Sequence, residues 1–196
     1  MRHDPTFWII ARSAGLTAYV LLTASMLAGL TLKTRVLGRV VKPSAITDVH
    51  RALALAGLGA LVLHGIALVL DATVRVTLFA LLIPGLVDYR TWWVGAGVIA
   101  GELMALVTAS FWARKRIGVR VWRGLHWLSY AAFLLASAHG LMAGSDTRRP
   151  WTLTIYASAL GSVTLATGWR ALGRPTKAAV ARAAERRRAS TVPDRA

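Results

Sequence analysis

Four of the five histidines in this chain fall inside two long apolar runs, His50 and His64 in one, His126 and His139 in the other. An ionisable side chain within a membrane span is costly, and by default it marks a functional site facing other helices. On a helix, the 14 residues from His50 to His64 cover about 21 Å, and the 13 from His126 to His139 about 19.5 Å. Four imidazoles so far apart cannot share one ion. One further apolar run separates the two that carry them, so both cross in the same direction. His50 then lies level with His126, and His64 with His139. Two imidazoles at one depth, facing from separate helices, are what the iron of a planar macrocycle needs on its two open sides. The spacing therefore predicts two b-type haems, stacked across the bilayer. The alternative is that the histidines are packed, hydrogen-bonded side chains or proton relays. With no cysteine in the chain, thioether attachment, Fe–S clusters and zinc–thiolate sites are excluded. His3 stands outside this set, in a short solvated N-terminal stretch.

The elements that must carry these histidines are written in the hydropathy. The chain is 56% hydrophobic with a mean hydropathy of +0.53 and only 16% charged residues, against about a quarter charged in an average soluble domain. A spanning helix needs about 20 mostly apolar residues. Five runs meet that length, at 7–32, 49–70, 92–112, 125–143 and 151–169. A sixth, at 74–87, is too short and contains Pro84-Gly85, which marks an interfacial or re-entrant segment. The expected fold is an all-α integral membrane protein, a bundle of about five transmembrane helices plus that short segment. Residues 1–170 form the haem-binding transmembrane domain and 171–196 a basic cytoplasmic tail. Helical phase poses one problem. Fourteen residues return to within about 40° of the same face, whereas 13 land about 140° away. Either the helix holding His126 and His139 contains an irregularity such as a π-bulge, or the two haems are approached from different azimuths.

The net charge of +16 comes from 24 Lys and Arg against 8 Asp and Glu. A nucleic-acid module gathers its basic residues on one folded face, but these punctuate membrane-length runs, so topology explains them. Lys33, Arg35, Arg39, Lys42 and Arg51 crowd the first loop, Arg114, Lys115, Arg116, Arg120 and Arg123 the third, and the tail is rich in arginine. By the positive-inside rule these parts are cytoplasmic and the N-terminus is outside. The expected location is a plasma membrane, crossed several times, of bacterial inner-membrane type. The first run lacks a strong basic n-region and precedes a basic loop, so it reads as a retained span, not a cleaved signal. Tryptophans near both ends of the runs fit the interfacial belts. Residues 176–190 of the tail could form a short helix, serving as an anchor on anionic lipid or as a docking arm. The tail is too short for a dinucleotide-binding unit and no G-x-G-x-x-G occurs, so nicotinamide chemistry would need a partner.

Several other residues bear on the haem sites. Arg51 and Arg123 flank the inner histidines and could pair with haem propionates, while also satisfying the charge rule. Arg75, Arg90 and Arg148 are weaker outer candidates. Gly57 and Gly59 lie midway between the ligands of the second run, where a missing side chain permits close approach. Phe133, midway along the fourth, either fills the space between the haems or is ordinary core, and Tyr130 reads as core. Glu102, the one acid deep in a span, is expected to pair with Arg12, with proton uptake as its alternative role.

The 14- and 13-residue histidine spacings, two runs apart, together with Arg-Gly-Leu-His at 123–126, resemble the ferric reductase-like transmembrane domain. That superfamily includes ferric reductases, NADPH oxidases and the haem-binding membrane subunit of periplasmic methionine sulfoxide reductase. The resemblance covers roughly residues 10 to 170. It implies that His50 and His126 hold the inner haem and His64 and His139 the outer one. It also implies transmembrane electron transfer to an outer acceptor, either ferric iron, dioxygen or a periplasmic reductase protein. The larger members carry a cytosolic flavin domain that this chain lacks. The expected donor is therefore a cytosolic flavoprotein or flavin reductase, bringing FMN or FAD. The rivals are a quinol-linked cytochrome b, with quinone as its partner, and a haem-free transporter.

Overall fold

The computed structural model describes residues 5–34, 41–72, 74 and 76–172. The expectations for His3, Arg35, Arg39, Arg75 and the tail from residue 173 onward fall outside the described residues. Five long helices are present: α1 (Thr6–Thr34), α2 (Pro43–Leu70), α3 (Thr91–Ile117), α4 (Val119–Ala143) and α5 (Pro150–Leu172). No strand occurs among the described residues, so the all-α expectation holds. Each helix matches an apolar run, lengthened at one or both ends by polar residues that continue the same backbone hydrogen bonding.

Of these helices, α1, α2 and α3 are long and apolar enough to cross a membrane. The other two have the length, 25 and 23 residues, but are diluted with polar groups. α4 carries Arg120, Arg123 and two histidines, and α5 a series of threonines and serines. The polar residues that make α4 interesting are the ones that lower its apolarity.

Two antiparallel hairpins build the bundle. In α1–α2, the start of α1 meets the end of α2, since His64 reaches Ala11, and the converse ends meet where His50 reaches Ser25. In α3–α4, Tyr89 and Arg90, just before α3, bond the carbonyls of Ala143 and Met142 at the end of α4. α3 and α4 are joined by one residue, Gly118, at φ 81° and ψ 155°, a conformation that a side chain strongly disfavours. α1 also packs on α4 and α5, and α3 more sparsely on α2. α2 and α4 scarcely touch directly and face each other across the interior.

A cluster of buried side chains lies between α1, α4 and α5. Tyr19 stacks on Phe133 with ring centroids 5.7 Å apart, packs on Tyr156 at 4.7 Å, and its hydroxyl lies 2.9 Å from Ser137 Oγ. Met26, Ala159 and Val163 complete this cluster. The 74–87 segment contains one short 3₁₀ turn, Phe79–Leu81. Val76, Ala80 and Val87 are buried against Leu68, Leu81 and Val94, while Leu78, Phe79, Leu82, Ile83 and Leu86 are exposed. One side of the segment is thus held by protein and the other turned outward. Gly95 in α3 admits it closely, since a methyl there would lie 3.5 Å from Gly85 N.

The Arg12–Glu102 pairing is corrected. Arg12 forms its ion pair with Asp146 in the α4–α5 connection, and Glu102 is exposed on the outer side of α3. Depth explains the difference. Ala11, beside Arg12, is level with His64, and Gly97 packs on His139 at that same end. Glu102 lies five residues further along α3, about 7.5 Å deeper, whereas Asp146 is at the mouth of the bundle.

Candidate functional site

The four histidines of the two helices meet in two pairs across the gap between α2 and α4. His50 and His126 have ring centroids 6.0 Å apart with planes at 77°. For His64 and His139 the values are 6.4 Å and 75°. Pairing by depth, expected from the direction of the helices, is therefore what the structure shows. All four side chains are half-buried.

α4 is an uninterrupted α-helix, without a π-bulge, from Val119 to Ala143. Its two imidazoles thus leave the helix from azimuths about 140° apart. His139 leans toward α3, and His126 lies beside Trp122, one turn earlier, with centroids 5.5 Å apart and planes at 30°. The irregularity expected as one answer to the 13-residue spacing is thus absent from α4, and its two histidines diverge.

Three of the imidazoles are held at Nδ1 by backbone. His50 Nδ1–H donates to Ser25 O at 2.7 Å and lies 2.9 Å from Ser25 Oγ, whose own hydrogen goes to His50 O. His64 Nδ1–H donates to Ala11 O at 2.7 Å, and His139 Nδ1–H to Trp93 O at 2.9 Å. A carbonyl can only accept, so Nδ1 carries the proton and Nε2 keeps its lone pair. His126 differs. Its neighbour Trp122 has a buried indole N–H that finds no acceptor among the described residues.

The other expected residues distribute unevenly. Arg51 lies 4.4 Å over the Phe111 ring and 3.9 Å from Asp48. Arg123 is exposed, one turn before His126. Phe133 is the largest fully buried side chain, 2% exposed, lying between the two histidine levels against Tyr19. Gly57 packs on Met104 and Leu21, while nothing lies within 4 Å of a methyl built on Gly59. At the His139 end, a cleft of about 400 Å³ is lined by Tyr89, Arg90, Met142, Thr147 and Arg148, among others.

Sequence reasoning missed Ala11, Ser25 and Trp93, which orient the imidazoles, and Gly15, Gly29 and Gly97, on which the rings rest. A signal was there. Ala11 to Ser25 and Gly15 to Gly29 repeat the 14-residue interval of His50 and His64.

The fold and these pairs define a class, a helical membrane protein with two levels of facing imidazoles. Comparison with known families sharpens it. Residues 14–137 match the family described as Ferric reductase like transmembrane component, and the chain belongs to that family. The match takes in His50, His64 and His126 and stops just before His139. No curated protein and no solved structure matches the chain.

Proposed function

We propose that this chain is a transmembrane electron conduit that holds two b-type haems, one between His50 and His126, the other between His64 and His139. The observation that carries the reading is the width of the two gaps. An imidazole nitrogen sits about 2 Å from the metal it binds and ~1 Å from its own ring centre, so a metal shared by two facing imidazoles separates the centroids by about 6 Å. The pairs measure 6.0 and 6.4 Å. Among the described residues no three His, Asp or Glu side chains gather into a metal site. Two protein donors per site are what a porphyrin, supplying four ligands of its own, requires.

When bound, the two haems would supply reversible one-electron chemistry at two depths. The protein's part is to present the ligands. The carbonyls of Ser25, Ala11 and Trp93 hold the protonated Nδ1 of His50, His64 and His139, fixing the tautomer and turning each Nε2 to its partner, as outer-shell acceptors do for metal-bound imidazoles. The poor direct contact between α2 and α4 leaves room between them. Phe133, buried between the two levels, excludes water there. Arg51 and Arg123, at the His50–His126 end, supply positive charge suited to propionates.

That end also carries Lys42, Arg114, Lys115, Arg116, Arg120 and Arg170, which supports a cytoplasmic placement by the positive-inside rule. Electrons then enter from a cytosolic flavoprotein or flavin reductase and leave beside His139 for an outer acceptor, either ferric iron, dioxygen or a periplasmic reductase. The test is a pyridine-haemochrome assay on the detergent-purified chain. Two noncovalent haems per protein are expected, with a low-spin b-type spectrum after dithionite. A colourless protein would refute the reading in favour of a haem-free transporter or relay.

A further inference from the structure

The contacts around the four imidazoles repeat one local device. On α1, Ala11 O accepts the Nδ1–H of His64, and a methyl built on Gly15, one turn later, would lie 3.0 Å from that Nδ1. Further along the same helix, Ser25 O accepts from His50, and a methyl on Gly29 would lie 3.2 Å from His50 Cε1. On α3, Trp93 O accepts from His139, and a methyl on Gly97 would lie 2.5 Å from His139 Nδ1. In each case the acceptor is residue i and the glycine is i+4, so both are on one helix face. The imidazole lies flat over the gap where a side chain would stand. His126 has no such seat and rests beside Trp122 on its own helix.

We propose that Gly15, Gly29 and Gly97 are positioning residues that seat three of the four haem-ligating imidazoles. The carbonyl one turn earlier sets which ring nitrogen faces the iron, and the bare backbone at the glycine sets the plane of the ring. The His64–His139 site is seated on both sides and the His50–His126 site on one. This rests on the two-haem reading. The device could not serve mere helix packing equally well, because the three glycines approach imidazole rings and not the aliphatic groups of the opposing helices.

The experiment is the low-spin electron paramagnetic resonance spectrum of the oxidised, haem-loaded protein, with haem counted in parallel. Planes at 75° and 77° are near-perpendicular, and perpendicular axial imidazoles give low-spin signals of large g anisotropy that collapse as the planes turn parallel. Each signal is assigned by its loss in His64→Ala or in His50→Ala. Gly97→Ala is expected to shift or abolish the His64–His139 signal and leave the other in place. Gly15→Ala should shift the same signal less, and Gly29→Ala should shift only the His50–His126 signal. Gly161→Ala, on α5 away from the four histidines and with nothing within 4 Å of the added methyl, should change neither. The ranking follows the clearances, so Gly15→Ala and Gly29→Ala decide the matter if Gly97→Ala does not accumulate. Two haems with unaltered spectra in all three glycine variants would overturn the seats alone. So would an effect of Gly161→Ala as large as theirs. A wild-type chain that binds no haem overturns the two-haem reading and the seats with it.

Discussion

At the scale of single residues, the histidines are informative because their position is expensive. Imidazoles at intervals of 14 and 13 residues in two long helices are costly to place in a membrane, which is why they carry the proposal. Independence of the two sites follows from distance. On the two-haem proposal, with His50 and His64 about 21 Å apart along α2 and no histidine common to both pairs, His64→Ala or His139→Ala should remove one haem and leave the other. In a spectroelectrochemical titration one of two redox components is expected to vanish. Loss of the His50–His126 component after either substitution would break the pairing by depth. Arg12 teaches the opposite lesson. Charge complementarity pointed to Glu102, but Asp146 is nearer in three dimensions, and an arginine near the end of a span reaches the aqueous edge more cheaply than the centre.

At the scale of elements, α3–Gly118–α4 is the decisive joint. A one-residue connection leaves no slack, so the backbone angles of Gly118 help set how α4 returns along α3 and hence where His126 and His139 stand. At φ 81° and ψ 155° a Cβ is disfavoured, and Gly118→Ala should cost about 1–3 kcal/mol. A thermal melt of the purified protein is expected to show a lower midpoint and partial haem loss from both sites. A melt equal to the wild type would mean that the joint relaxes freely. The continuity of α4 has its own consequence. Because the helix does not bulge, its two histidines diverge, and the neighbours that hold them differ, α3 for His139 and Trp122 for His126. A 13-residue interval in place of 14 is thus the source of the difference between the two sites.

At the scale of the molecule, the described basic residues divide unequally between the ends. Lys42, Arg51, Arg114, Lys115, Arg116, Arg120, Arg123 and Arg170 share the His50–His126 end. At the other end stand Arg12, Arg90, Arg148 and Arg149 beside Asp71, Asp88 and Asp146, with Arg12 paired to Asp146. A positive face of this kind steers a negatively charged partner and loses its reach as salt shortens the Debye length from about 10 Å at 0.1 M to about 3 Å at 1 M. On the proposed reading, reduction of the haems by an acidic flavoprotein should therefore slow as salt rises, and slow further when the chain is truncated after Arg174. Stopped-flow reduction at low and high salt measures both. Rates indifferent to salt and truncation would leave the basic end as a topological signal and move the search for the donor to quinol within the membrane.

The properties legible in the sequence are those carried by local composition and period. Apolar run length placed five helices, charge placed their polar ends, Pro84-Gly85 placed the break between α2 and α3, and parallel direction placed His50 with His126 and His64 with His139. Each depends on a residue and its neighbours along the chain, or on counting helices. Tertiary structure alone decided what depends on register between helices. It chose divergent azimuths over a bulge in α4, gave Arg12 to Asp146, set Phe133 against Tyr19, and brought Gly15, Gly29 and Gly97 under the imidazoles. The physical reason is that a glycine is silent by itself. It acquires a role only when an antiparallel neighbour slides into the one register where its missing side chain meets a ring.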